Sequence, residues 1–104
     1  MRLKDKVALV TGAGQGFGQC IAETFAREGA RVAVVDIDLE KARAVAKGIG
    51  RRAFALKADV SKARDVTRAV EATIKRFGGL ELIVNNAGVS PVSYTHLRAH
   101  ETEA

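Results

Sequence analysis

The stretch Val7-Ala-Leu-Val-Thr-Gly-Ala-Gly-Gln-Gly-Phe-Gly18 decides the fold of this chain. Val7 to Val10 are four apolar residues in a row, the mark of a parallel strand covered on both faces. Glycines follow at once, and a helical pattern begins after them. A strand, a tight glycine turn and a helix N-terminus together form an anion cradle, because backbone N–H groups and the positive end of the helix dipole face the same point. The spacing does not fit Gly-x-Gly-x-x-Gly, since Phe17 or Gln19 stands where the last glycine would fall. It does fit Thr-Gly-x-x-x-Gly-x-Gly, through Thr11, Gly12, Gly16 and Gly18. No lysine follows the turn, so it is not a Gly-Lys-Ser/Thr phosphate loop. A glycine-rich turn that binds nothing is the alternative.

The same alternation of apolar strands and helices continues downstream. Phe17, Ile21 and Phe25, with Ala22 and Ala26, form one helix stripe predicted to face a sheet, and Gly29 ends that helix. Arg31–Val35 reads as the second strand, with Asp36 at its carboxyl end. Asp38 is a suitable cap for a helix carrying Leu39, Ala42, Val45, Ala46 and Ile49. Arg52–Leu56 is the third strand, and Ser61 is the expected cap of a helix carrying Val66, Val70, Ile74 and Phe77. Leu80–Val84 is the fourth strand. The fold class is therefore α/β, a partial Rossmann arrangement: a doubly wound parallel sheet in the order 3-2-1-4, incomplete, with helices on both faces. Leu82, Ile83 and Val84 are expected along an unpaired edge.

Two motifs in order, Thr11-Gly12-Ala13-Gly14-Gln15-Gly16-Phe17-Gly18 and Asn85-Asn86-Ala87-Gly88, resemble the short-chain dehydrogenase/reductase family. The resemblance covers residues 1 to about 90, read as the N-terminal portion of an NAD(P)-binding domain. It implies a cofactor turn at Gly12, Gly14, Gln15, Gly16, Phe17 and Gly18. It implies further contacts from Asp59 and Val60 to adenine, and from Asn86, Ala87 and Gly88 to the ribose and nicotinamide side. Asn85 is implied to be structural, and Asp59 reads equally well as a turn residue before Ser61.

Asp36 lies 18 positions beyond Gly18, close to the spacing of an acidic residue that accepts from the adenosine ribose hydroxyls. A solvent-exposed carboxylate without that role is the other reading. NADP users in the family often carry a basic residue in the turn or just after the second strand. Gln15 and Ile37 occupy those slots here, so NAD is expected over NADP.

Residues 91–104 show neither a strand period nor an apolar helix face, and are read as an irregular tail not native to the family. The family's Ser and Tyr-x-x-x-Lys have no match. Tyr94 is followed four residues later by Arg98, and Glu81 stands thirteen residues before Tyr94. No catalytic residue is expected anywhere in this chain, and whether it is an enzyme by itself stays open. Hydride exchange with an alcohol or ketone, and a homo-oligomer, are implied for a longer parent.

Composition sets bounds on other functions. The 104 residues suffice for one thin-cored domain, 47% hydrophobic and 28% charged. Cys20 is the only cysteine, so no internal disulfide is available and a reducing cytoplasm is expected; Cys20 reads as a small buried helix residue. No apolar run reaches the roughly 18 residues that span a bilayer. The net charge of +5 is scattered without interleaved aromatics, which disfavours nucleic acid as a partner. His96 and His100 lack a third ligand nearby, so no metal is expected.

Overall fold

The computed structural model describes residues 3–85 and 88–95, without the side chains of 88, 89 and 93–95. In chain order the elements are β1 (Val7–Thr11), α1 (Gly16–Arg27), β2 (Arg31–Asp36), α2 (Leu39–Ile49), β3 (Ala53–Lys57), α3 (Ala63–Phe77), β4 (Gly79–Asn85) and β5 (Gly88–Thr95). They build one sheet in the order β3-β2-β1-β4-β5. The first four strands are parallel, with Leu9 opposite Ala33 on one side and Ile83 on the other. Ala33 in turn lies opposite Phe54.

Strand alternation divides the apolar residues into two cores. Val10, Val32 and Val34 pack on one face with Ala22 of α1 and Ala42, Val45 and Ala46 of α2. Val7, Leu9, Ala33 and Val35 pack on the other with Ala69 and Ile74 of α3 and with Leu80. Val10, Val32, Val34 and Leu80 are wholly excluded from solvent, each burial stabilising by roughly 1.5–3 kcal/mol. Central strands buried on both faces are continuous apolar runs, as the sequence had them. At the base of β1, the Val7 N–H donates to the Glu81 carboxylate at 2.6 Å, tying β1 to β4 across 74 positions.

Four features differ from the sequence expectations. Phe17 is 83% exposed rather than part of the buried α1 stripe, because it stands on the first turn, where the helix begins; Ile21 and Phe25 do pack on the core. Cys20 is also exposed, on the solvent side of α1. Ser61 does not cap α3: Lys62 holds the cap position without a side-chain bond, and Ser61 N–H and O–H both donate to Asp59. The aspartate out-competes the serine by closing its own turn two residues on.

The fourth difference concerns the sheet edge. Residues 91–95, expected to begin an irregular tail, instead continue a strand: β5 pairs antiparallel with β4, Val84 opposite Val89 and Leu80 opposite Tyr94, while 96–104 lie outside the described residues. Leu82, Ile83 and Val84 therefore have a neighbouring strand. The register slips between Leu80 and Leu82, a bulge that accommodates the extra residue, and Pro91 is tolerated because β5 is an edge strand.

Candidate functional site

The carboxyl ends of β1, β2 and β3 stand side by side, and the turns leaving them form the candidate site. The glycine turn after β1 is built where only glycine fits. Gly12 and Gly16 have φ of +62° and +61°, in the left-handed region. A β-carbon on Gly18 would collide with the Gly12 carbonyl oxygen, so the turn closes tightly on the helix start. The turn is fastened to β2 by two bonds. Ala13 N–H donates to the Val35 carbonyl at 2.9 Å, and Gly14 N–H donates to Asp36 Oδ2 at 2.8 Å.

The start of α1 is left open. Gln15 is the N-cap residue, yet its side chain caps nothing, and the first turn holds no acid. Gln19 N–H donates to the Gln15 carbonyl at 3.3 Å. Gly16, Phe17 and Gly18 lie ahead of it, with N–H groups of the kind an α-helix leaves without an intrahelical partner. Donors of this kind beside a positive dipole end suit an anion such as a pyrophosphate.

Asp36, half-buried, closes the site on the β2 side. Its Oδ2 takes the Gly14 N–H, and its Oδ1 takes the Asp38 N–H at 2.9 Å. Each carboxylate oxygen has a second acceptor position, so two outward donors such as ribose hydroxyls can still be received. Ile37, next in sequence, is 60% exposed, and Val60 after β3 is 53% exposed. With Phe17 they are three large apolar residues displayed at successive βα junctions, the polar-and-apolar combination that ligand sites use.

Asp59 serves first as a turn residue. It accepts from Ser61 N–H at 2.9 Å and Ser61 O–H at 2.7 Å, and these bonds hold its carboxyl below the usual range. Its own N–H donates to Asp65 Oδ2 at 2.9 Å, which lowers Asp65 in the same way. The structure thus brings Gly12, Gly14, Gln15, Gly16, Phe17, Gly18, Asp36 and Ile37 together, with Asp59 and Val60 one strand further out. Gly88 opens β5 opposite Asn85, while Asn86 and Ala87 lie outside the described residues, as do His96, Arg98 and His100. Among the described residues no group of three or more His, Cys, Asp or Glu side chains could hold a metal ion.

Sequence reading missed one member. Lys41, in the first turn of α2, donates from Nζ to Oε1 of Gln15 at 2.6 Å. The two are 26 positions apart, and only the packing of α2 against the turn reveals the contact.

Among the described residues, no helix is long and apolar enough to cross a membrane. The sequence matches the short chain dehydrogenase family over residues 6–104. It is 46% identical over 89 residues to a sorbitol dehydrogenase of Cereibacter sphaeroides, covering 86% of this chain and 35% of that protein. A galactitol 2-dehydrogenase of Agrobacterium fabrum is 45% identical over a stretch of the same length. The fold is similar to that of a 3-ketoacyl-(acyl-carrier-protein) reductase from Brucella melitensis complexed with NADH, at a TM-score of 0.76 and 49% identity over 78% of this chain and 33% of that one. A hydroxysteroid dehydrogenase from Escherichia coli matches at a TM-score of 0.77 and 36% identity, over 80% of this chain and 37% of that one. The chain thus spans about a third of the length of these relatives. On that match and on the glycine turn beside Asp36, the chain belongs to the short-chain dehydrogenase family.

Proposed function

We propose that this chain forms the dinucleotide-binding half of an NAD-dependent short-chain dehydrogenase/reductase. The observation that carries the reading is Asp36, fixed by Gly14 and Asp38 N–H groups at the mouth of an uncapped helix N-terminus. The residues present fit the cofactor. The α1 N-terminus receives the pyrophosphate, Asp36 receives the adenosine ribose hydroxyls, and Ile37, Asp59 and Val60 border the adenine. Asn86, Ala87 and Gly88 are assigned to the nicotinamide side through their motif.

A nicotinamide dinucleotide supplies hydride acceptance or donation when bound. The residues of this chain bind and orient it. Proton transfer at a substrate oxygen needs a positioned acid, and the single tyrosine here, Tyr94, lies on β5 opposite Leu80 rather than on a helix with a lysine one turn on. The 104 residues by themselves are accordingly proposed to turn over nothing. In a longer protein the same half would serve oxidation of an alcohol or reduction of a ketone, in a cytoplasmic homo-oligomer.

NAD is proposed over NADP because the Asp36 carboxylate repels a ribose 2′-phosphate. Titration calorimetry tests this: Asp36→Ala should weaken NAD about tenfold, the loss of two hydrogen bonds to a charged group, and should narrow the gap to NADP. Tighter binding of NADP than of NAD by the unaltered chain would overturn the assignment.

A further inference from the structure

Asp36 is not the only charged group beside the glycine turn. A β-carbon on Gly14 would lie 2.7 Å from the Cβ of Lys41 and 2.8 Å from Oδ2 of Asp36, so both residues border the space that the missing Gly14 side chain leaves. Gln15 from the turn, Asp36 from the end of β2 and Lys41 from α2 therefore converge on one point. The Lys41 ammonium is bound to a neutral acceptor, the side-chain amide oxygen Oε1 of Gln15, at 2.6 Å. The ion pairs among the described residues are Arg43–Glu40 and Arg68–Asp65, and neither involves Lys41. Its charge is thus uncompensated by a salt bridge, and two of its three donors remain for another acceptor.

We propose that Lys41 is a cofactor-discriminating residue, whose ammonium softens the exclusion of a ribose 2′-phosphate by Asp36. The inference rests on the dinucleotide reading above. A 2′-phosphate replaces a hydroxyl that Asp36 would bind, and so arrives where the Asp36 carboxylate and the Lys41 stem already meet. The four-carbon stem of Lys41, exposed on α2, gives the ammonium reach to that phosphate. The carboxylate repels the phosphate and the ammonium attracts it. NAD, with a neutral hydroxyl there, draws little from Lys41. The preference for NAD is then graded, with NADP still bound.

The test is calorimetric titration of the chain with NAD and with NADP, comparing the unaltered protein, Lys41→Met and Lys41→Arg. Lys41→Met should raise the Kd for NADP about tenfold and that for NAD less than about threefold, the difference expected from losing one charge-assisted contact. Lys41→Arg should keep the ratio of the two constants within about threefold of the unaltered value. In about 0.5 M salt the effect of Lys41→Met on NADP should shrink, since exposed charges are screened. Equal weakening of both dinucleotides, an unchanged ratio, or NADP binding absent while NAD binds normally would overturn the role of Lys41 and leave the NAD reading standing. Failure of the unaltered chain to bind either dinucleotide would overturn the cofactor reading and this inference with it.

Discussion

The helices α1 and α2 lie on the same face of the sheet and begin at the same end of it, yet their N-termini are finished in opposite ways. At α2, Asp38 accepts from the N–H groups of Glu40 and Lys41 at 3.1 and 3.3 Å, and Glu40 adds an acid to the first turn. At α1, neither a side-chain cap nor an acid is present, and the side chain of its cap residue is held by Lys41 instead. The α2 start is satisfied from within the chain. The α1 start keeps its donors and its dipole for something else, and the glycines around it clear the space. One helix start is closed by its own side chains, and the other is left open, where the proposed function puts the cofactor.

The largest effect expected is at Gly18. Gly18→Ala drives a β-carbon into the Gly12 carbonyl, a backbone contact that no rotamer relieves. A loss of about 2–4 kcal/mol in urea unfolding is expected, together with loss of NAD binding. A stable variant with intact binding would show that the turn is not closed against the helix as described. Next comes the contrast between the caps. Asp38→Ala should cost about 1 kcal/mol, whereas Gln15→Ala should stay within about 0.5 kcal/mol, because Gln15 caps nothing. Equal costs for the two substitutions would erase the distinction between the helices.

The smallest effect is a pH dependence at α3. Asp59 and Asp65 are both held below the usual carboxyl range by hydrogen bonds to their ionised forms, from Ser61 and from the Asp59 N–H respectively. Folding therefore favours ionisation. Their contribution is fully present above the ordinary carboxyl pKa of about 3.9 and is lost as pH falls through their lower folded values. Asp65→Asn should flatten the acid limb of a stability–pH curve, and an unchanged limb would refute the coupling of the two residues.

The comparison also shows what sequence can carry. Val7–Val10 and Val32–Val35 were legible as strand cores because burial on both faces leaves an unbroken apolar run, and Leu80–Val84 because four of its five residues are apolar despite Glu81. Asp38 was legible as a cap because its bonds reach only two and three residues ahead. Phe17 was misplaced because helical period does not say where a helix stops overlying the sheet. Ser61 was misassigned because the Asp59 carboxylate, two residues earlier, engages both its N–H and its O–H and leaves Lys62 at the cap position. The β5 strand was hidden by Pro91 and by serines and a threonine that an edge position tolerates. Lys41 was invisible because its partner lies 26 residues away and is reached only through folded packing.

The measurement that tests the open α1 N-terminus most directly is made on Gln15→Asp. Aspartate at that position supplies the missing cap, so urea unfolding should show a gain of about 0.5–1 kcal/mol. Calorimetry on the same protein should show NAD weakened about tenfold or more, because the new carboxylate takes the donors and the field proposed above to receive the pyrophosphate. Greater stability with weaker binding is the result predicted. Unchanged NAD affinity in a stabilised variant would place the anion elsewhere and contradict the account.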